Sequence, residues 1–164
     1  MGAVFVCILF FGSIMKNIDL TIRAYDEASD LHALSNIWFE ASLSAHAFLG
    51  EQRLKQERGL IETVYLPNAE NWVACHLGQP VGFISLLDCF IGGLFVSPSH
   101  QGAGVGRRLV AHALKRKGEL QLDVYTRNQQ ALSFYSRLGF VEISRRARDD
   151  EDLPFENARM RLRR

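Results

Sequence analysis

Cysteine is scarce in this chain, and closely spaced cysteine pairs are absent. The 164 residues include three cysteines, Cys7, Cys75 and Cys89. An odd number without close spacing argues against a disulfide framework and against a zinc site. Cys75 and Cys89 lie in apolar runs, where a free thiol behaves as a small buried hydrophobe. We therefore expect a cytoplasmic protein that holds no metal.

Net charge is also small. Nineteen basic and 18 acidic residues leave a formal charge of +1, which provides no overall attraction to nucleic acid or to an acidic membrane. We expect neither of these as a partner. With 48% hydrophobic and 23% charged residues, the composition is that of a globular chain, long enough for one domain and too short for two ordinary ones.

The apolar run Ala3–Met15 is too short to span a bilayer, which takes about 20 residues. It is interrupted only at Gly12 and Ser13, and it lacks the basic start and the small-residue cleavage site of a signal peptide. We interpret residues 1–14 as an apolar extension that need not be native, with Met15 as the natural start. Residues 15–164 then form a single domain.

Hydrophobic periodicity predicts the order β α α β β β α β α β β for residues 20–163. The first helix is expected from about Ala28 to Ser44, a break at Leu66–Ala69, and a hairpin turn at Leu77–Pro80. This order predicts a mixed α/β fold in which helices pack on one sheet.

A glycine-rich segment separates a predicted strand from a predicted helix. Gly102, Gly104 and Gly106 fall within five residues, and glycine lets a backbone approach a ligand and adopt positive φ. The start of a helix adds unpaired N–H groups and a positive dipole end, which suits a pyrophosphate. Arg107 and Arg108 oppose that dipole at a cost of about 0.3–1 kcal/mol each, and a bound phosphate would reverse the cost. The alternative is a plain glycine-rich turn with two exposed arginines.

Other phosphate-binding folds fit less well. The Gly-Lys-Ser/Thr of a P-loop is absent. A dinucleotide-binding fold would place its glycine loop after an early strand of a parallel βαβ unit, whereas this loop follows a predicted hairpin and a third strand.

Two motifs resemble those of the GCN5-related N-acetyltransferase (GNAT) family. Gln101-x-x-Gly104-x-Gly106 is similar to the family's Arg/Gln-x-x-Gly-x-Gly/Ala signature, and Leu94–Pro98 before it is similar to the family's fourth strand. A second run is similar to the family's other signature, Asn128-x-x-Ala131-x-x-Phe134-Tyr135-x-x-x-Gly139-Phe140. The chain is also similar to small bacterial members of this family at Ile37-Trp38 and at Ala45-His46-Ala47-Phe48-Leu49.

The resemblance implies an α/β (α+β) fold whose mixed, mostly antiparallel sheet carries helices on both faces. It also implies acetyl-CoA as co-substrate. Leu94–Val96 would pair with the pantetheine amides, Gln101–Arg107 would hold the pyrophosphate, Asn128 would bond the pantetheine arm, and Tyr135 would protonate the leaving CoA thiolate. The expected cofactor-binding residues are Leu94, Phe95, Val96, Gln101, Gly102, Ala103, Gly104, Val105, Gly106, Arg107, Asn128 and Tyr135.

The chain departs from the family pattern at the positions where a catalytic base is expected. Many members carry an acid on the fourth strand, and here Gly92 and Gly93 stand at those positions. Asp88 is the first choice for the base because it ends a predicted strand near the expected cleft, and His46 and Glu40 are the other candidates. A relay of water molecules is the alternative to a dedicated base.

An acceptor pocket is expected between the first helices and the loop that joins the last strands. Its candidate lining residues are Trp38, His46, Phe48 and Phe155. The acidic run Asp149–Asp152 is suited to attracting a cationic acceptor, and a solvated loop is the alternative.

The function expected from the sequence is direct acetyl transfer from acetyl-CoA to a primary amine within a ternary complex. The acceptor is a small molecule or a protein amine, and the enzyme is expected as a monomer or homodimer. The alternatives are a non-catalytic module of the same fold that binds or senses acyl-CoA, and another kind of nucleotide-binding protein.

Overall fold

The computed structural model describes residues 18–45 and 50–164, together with the backbone of residues 5–6. Within these ranges the strands are β1 (Phe5–Val6), β2 (Thr21–Ala24), β3 (Glu70–His76), β4 (Gln79–Leu87), β5 (Phe90–Val96), β6 (Glu119–Tyr125), β7 (Val141–Arg146) and β8 (Asn157–Arg163). The α-helices in the same ranges are α1 (Glu27–Ala45), α2 (Glu51–Leu60), α3 (Leu66–Asn68), α4 (Val105–Lys117) and α5 (Gln129–Arg137).

The strands from β2 onward form one sheet in the order β2-β3-β4-β5-β6-β8-β7. Neighbouring strands are antiparallel, except that β5 and β6 run parallel and share one register pair, Phe90 with Gln121. β1 pairs with β5 in parallel. The predicted element order and the mixed, mostly antiparallel sheet are confirmed from β2 to β8.

Alternation of side chains along the strands divides the apolar core into two clusters. On β4, Ile84 and Leu86 pack with residues of α4 and α5, whereas Phe83 packs with residues of α1 and α2. The same division on β5 sends Leu94 to the first cluster and Phe95 to the second. Helices therefore cover both faces of the sheet, as the resemblance implied.

The break predicted at Leu66–Ala69 is wrong for its first three residues. α2 continues through a π-helical turn, Ile61–Tyr65, directly into α3. Pro67 is the second residue of α3, and because proline has no N–H it cannot donate a hydrogen bond to the helical turn that precedes it. A π-helical turn widens the helix locally and is common beside functional sites.

The turn of the β3–β4 hairpin is shorter than predicted. It consists of Leu77 and Gly78, both with positive φ (50° and 78°), and β4 begins at Gln79. Positive φ at both positions suits a tight two-residue hairpin. No helix in the described ranges is both long and apolar enough to cross a membrane.

Candidate active site

The turn between β5 and α4 has the backbone shape that its glycines predicted. Gly102 and Gly104 adopt φ of 79° and 82°, in the left-handed region that glycine enters without strain. Gly104 immediately precedes α4, and a Cβ built on it would meet no atom within 4 Å. Because the first amides of α4 lack helical acceptors, the turn has both the room and the donors for an anion.

Three polar side chains around this turn differ in the contacts that they make. Gln101 Nε2 donates to the Val96 carbonyl at 3.0 Å, which joins the turn to the end of β5. Arg108 Nη2 donates to the Leu20 carbonyl at 2.7 Å. Arg107 is exposed, and none of the ion pairs between described residues involves it. Arg107 is thus a cation at this turn whose guanidinium is available to a ligand.

A gap opens between β5 and β6 after the register pair near their starts. β4 occupies one edge of β5, so the edge that faces β6 is the one left for another partner. β1 lies on this edge, with Phe5 opposite Gly93 and Val6 opposite Leu94. The edge that the resemblance left free at Leu94–Val96 is therefore taken at Leu94 by the chain's own N-terminal segment.

A cavity of about 610 Å³ lies on the face of the sheet that α1 and α2 cover. Its floor includes Phe83 and Ser85 of β4 and Gly93 and Phe95 of β5. A Cβ built on Gly93 would lie 2.5 Å from a ring carbon of Phe95. The Phe95 ring thus fills the space where a side chain at position 93 would stand, whereas a Cβ at Gly92 would meet its nearest atom at 3.6 Å.

The roof of the cavity comes from α1 and from the helical segment after α2. Trp38 of α1, one of the lining residues expected from the sequence, is fully buried. The π-helical turn contributes Ile61, Val64 and Tyr65, and α3 contributes Leu66. Floor and roof are therefore mainly apolar.

One end of the cavity carries charged side chains held in a closed network. Asp123 is 5% exposed and accepts hydrogen bonds from Arg159 Nε and Nη2, both at 2.8 Å. Arg146 bridges the carboxylates, with Nη2 2.9 Å from Asp123 and Nη1 2.8 Å from Asp150. The hydrogen bond to Asp123 raises the pKa of the Arg159 guanidinium above its ordinary value. Two carboxylates and two guanidiniums leave this network without net charge.

The acidic run Asp149–Asp152 is paired within the protein. The Tyr125 hydroxyl donates to Asp149 at 3.0 Å, and burial beside this carboxylate raises the pKa of the phenol. The other three carboxylates of the run pair with arginines, as Asp150–Arg146, Glu151–Arg53 and Asp152–Arg148. Arginines therefore balance three of the four carboxylates, and the fourth, Asp149, is buried with 8% exposure.

Comparisons with known proteins agree with this geometry. The family model described as "Acetyltransferase (GNAT) domain" matches residues 67–142, the part that contains β5 and the glycine turn. The peptidyl-lysine N-acetyltransferase YjaB of Escherichia coli is 36% identical over 84% of this chain and 92% of its own length. The peptidyl-lysine N-acetyltransferase YiaC of the same organism is 32% identical over 78% of this chain and 88% of its own.

The chain belongs to the GNAT family of N-acetyltransferases. Solved GNAT structures share its fold: the solution structure of apo YjaB from Escherichia coli has a TM-score of 0.79 at 33% identity, over 88% of this chain and 97% of that one. The structure of yncA, a putative acetyltransferase from Salmonella typhimurium with its cofactor acetyl-CoA, has a TM-score of 0.64 at 21% identity, over 88% and 94%. This second likeness is one of fold alone. Membership makes the chain an acyltransferase.

Two GNAT side chains expected at the pantetheine end lie on α5 and at its start. Tyr135 is fully buried, with its ring centroid 5.1 Å from those of Phe134 and Phe140. Asn128 caps α5, because its Oδ1 accepts from the Ala131 amide at 3.0 Å. An asparagine cap is favourable for a helix start by itself. Contact of either residue with acetyl-CoA stays a prediction.

The two candidate bases that the structure describes, Asp88 and Glu40, do not line the cavity. Asp88 is exposed in the β4–β5 turn with φ of 56°, and Glu40 is exposed on α1. His46 lies outside the described residues, as does Phe48, one of the expected lining residues. Phe155, another of these, packs edge-on against the ring of the last residue of β6.

Sequence reasoning missed the charged network and the π-helical turn. Asp123 did carry a signal, because it is an acidic residue inside the otherwise apolar second half of β6. Its partner Arg159 lies 36 residues further along the chain. The two are opposite each other only through the β6–β8 register, which no local pattern reveals.

Proposed function

We propose that this GNAT member transfers the acetyl group of acetyl-CoA to a primary amine, which attacks directly within a ternary complex. The observation that carries the proposal is the open glycine turn at the start of α4, placed beside the gap between β5 and β6. Residues of both strands also line the cavity, among them Gly93 and Asp123. A donor held in the gap would therefore have its thioester next to an acceptor in the cavity.

The residues of the turn fit the pyrophosphate of acetyl-CoA. Gly104 leaves open space beside the first amides of α4, and Arg107 supplies an unpaired guanidinium. The remaining backbone of Gln101–Arg107 provides the other donors. The pantetheine amides would pair with β5 at Leu94–Val96, in place of β1.

The chemistry assigned to the chain's own residues is proton transfer. The amine nitrogen bonds to the thioester carbonyl carbon, the carbon–sulfur bond breaks, and the Tyr135 hydroxyl gives its proton to the departing sulfur. The proton that the amine loses passes to water, because the cavity-lining carboxylates among the described residues, Asp123 and Asp150, are engaged by arginines. Asp88 is the alternative base.

A lysine side chain is the acceptor best supported by relatives. YjaB and YiaC of Escherichia coli, both at least 32% identical to this chain, are named peptidyl-lysine N-acetyltransferases. The cavity suits the aliphatic part of a lysine, because its floor and roof are mainly apolar. We therefore assign a peptide lysine as the acceptor of this chain.

Thermal unfolding with and without acetyl-CoA tests the cofactor site. Acetyl-CoA at about 100 times its Kd should stabilise the wild type by roughly 2.7 kcal/mol. Gly104→Asp should abolish the shift, because its carboxylate would repel the pyrophosphate. Gly118→Asp is the matched control: Gly118 has φ of 78° and an equally open Cβ position, but it lies at the other end of α4.

The same samples then test turnover on a lysine peptide, read by the mass of the acetylated product. Retained stabilisation in Gly104→Asp would place acetyl-CoA elsewhere on the protein. Stabilisation of the wild type without acetylation of any lysine peptide would favour the non-catalytic binding module.

A further inference from the structure

The charged side chains of the acceptor cavity are fully occupied with one another. Asp123, Asp150 and Arg159 are the charged residues among the described lining, and Arg146 joins the two carboxylates from outside the cavity. Each carboxylate has at least one guanidinium partner within 2.9 Å. An incoming ammonium group therefore finds no unpaired carboxylate among these residues.

Arg159 is held in place from two sides. Its guanidinium makes two hydrogen bonds to Asp123 and lies 5.4 Å from the ring centroid of Phe90, within the range of a cation–π contact. Since Asp123 is 5% exposed, water cannot readily replace this partner. A ligand that needed the Asp123 carboxylate would have to displace the Arg159 guanidinium from two charge-assisted hydrogen bonds, which is costly.

The rest of the cavity favours a ligand without further charge. Its large lining side chains include Trp38, Ile61, Phe83 and Phe95, and apolar walls bind alkyl and aromatic groups by removing them from water. A second or third ammonium group would be desolvated against these walls without compensation.

We propose that this cavity selects a primary amine on a single apolar stem and rejects polyamines, and that Arg159 and Arg146 determine this selectivity by neutralising Asp123 and Asp150. The inference rests on the proposed function for the cavity's role as the acceptor site. To the proposed function it adds a class of amine substrate and two residues that determine specificity, Arg159 and Arg146.

Binding of hexylamine and spermidine to the full chain, measured by calorimetry in the presence of CoA, tests this selectivity without requiring turnover. In the wild type, hexylamine should bind at least about tenfold more tightly than spermidine. Arg159→Gln leaves the Asp123 carboxylate partly unpaired, so its spermidine affinity should rise about tenfold. The double variant Asp123→Asn/Arg159→Gln keeps the shape without either charge, and it should bind spermidine as weakly as the wild type.

Arg146→Gln repeats the test if Arg159→Gln fails to fold, because Arg146 donates one hydrogen bond to Asp123 whereas Arg159 donates two. Circular dichroism melts establish folding for each variant. Spermidine binding as tight as that of hexylamine in the wild type would overturn the inference, as would an unchanged preference in the folded arginine variants. Amine selectivity without acetyl transfer would instead refute the proposed enzyme and leave the selectivity standing.

Discussion

At the scale of single residues, Gly93 shows how an absent side chain shapes the cavity. The Phe95 ring lies over this glycine and is itself 3% exposed. Its centroid is 5.3 Å from that of Phe83 and 6.5 Å from that of Trp38. These ring contacts resist a shift of Phe95, although the ring also borders the cavity. With the ring in this position, a side chain at position 93 would collide with it.

We expect Gly93→Ala to lower the free energy of unfolding by about 1–3 kcal/mol, the usual cost of overpacking. Thermal or urea unfolding measures the difference. Gly92→Ala is the matched control on the same strand, since the nearest atom to its added Cβ would be 3.6 Å away. Equal loss of stability in both variants would mean that the Phe95 ring yields easily.

At the scale of elements, β1 occupies the position that the proposed donor needs. Its two residues pair with Gly93 and Leu94 on the edge of β5 that faces β6. A strand and a pantetheine arm cannot both satisfy the same backbone groups. The N-terminal segment and acetyl-CoA should therefore compete.

Removing residues 1–14 should tighten acetyl-CoA binding about five- to tenfold, the value of one or two net backbone hydrogen bonds. Isothermal titration of the full and shortened chains gives both Kd values. Val6→Pro, which removes one strand N–H, should shift the Kd in the same direction by a smaller amount. A Kd unchanged by the deletion would show that β1 and the donor do not exclude each other.

A second link between elements joins β2 to α1. Arg23 donates from Nη1 and Nη2 to the Asp30 carboxylate at 2.6 and 2.8 Å, and Asp30 is 1% exposed. These hydrogen bonds are the main reason that the pKa of Asp30 is lowered. The stability they add is complete above the pKa of an unfolded aspartate, about 3.9, and is lost as the pH falls through the lower folded value.

We expect Arg23→Gln to destabilise the protein at pH 7 by on the order of 1–3 kcal/mol, because a buried carboxylate loses its charged partner. The difference in free energy of unfolding between this variant and the wild type should narrow once the pH falls below about 3.9. Urea unfolding between pH 7 and pH 2.5 measures this difference. Arg145→Gln, in an exposed pair with Glu142, should change little at any pH, and a gap that is constant with pH would argue against the Asp30 assignment.

At the scale of the whole molecule, local patterns predicted most of the fold. Periods of two and 3.6 residues identified β2 to β8 and the long helices, and the glycines before α4 identified the turn with positive φ. These features depend on neighbours along the chain. The family resemblance added helices on both faces of the sheet.

The features that escaped prediction depend on contacts between distant segments. Asp123 meets Arg159 through strand register, and β1 reaches β5 across most of the N-terminal half of the chain. From the sequence, the acidic run Asp149–Asp152 looks unpaired. The structure pairs three of its carboxylates with arginines. Tertiary pairing thus decided both the electrostatics of the cavity and the occupancy of the β5 edge.

The division of the core by the sheet has a kinetic consequence. The glycine turn belongs to the α4 side, whereas the cavity proposed for the acceptor lies on the side of α1 and α2. In the proposed reaction neither ligand lies in the other's path, so either one is free to bind first. Reciprocal plots of initial rate against acetyl-CoA, at several fixed amine concentrations, should then intersect. Parallel lines would instead reveal an acetylated enzyme and two separate half-reactions.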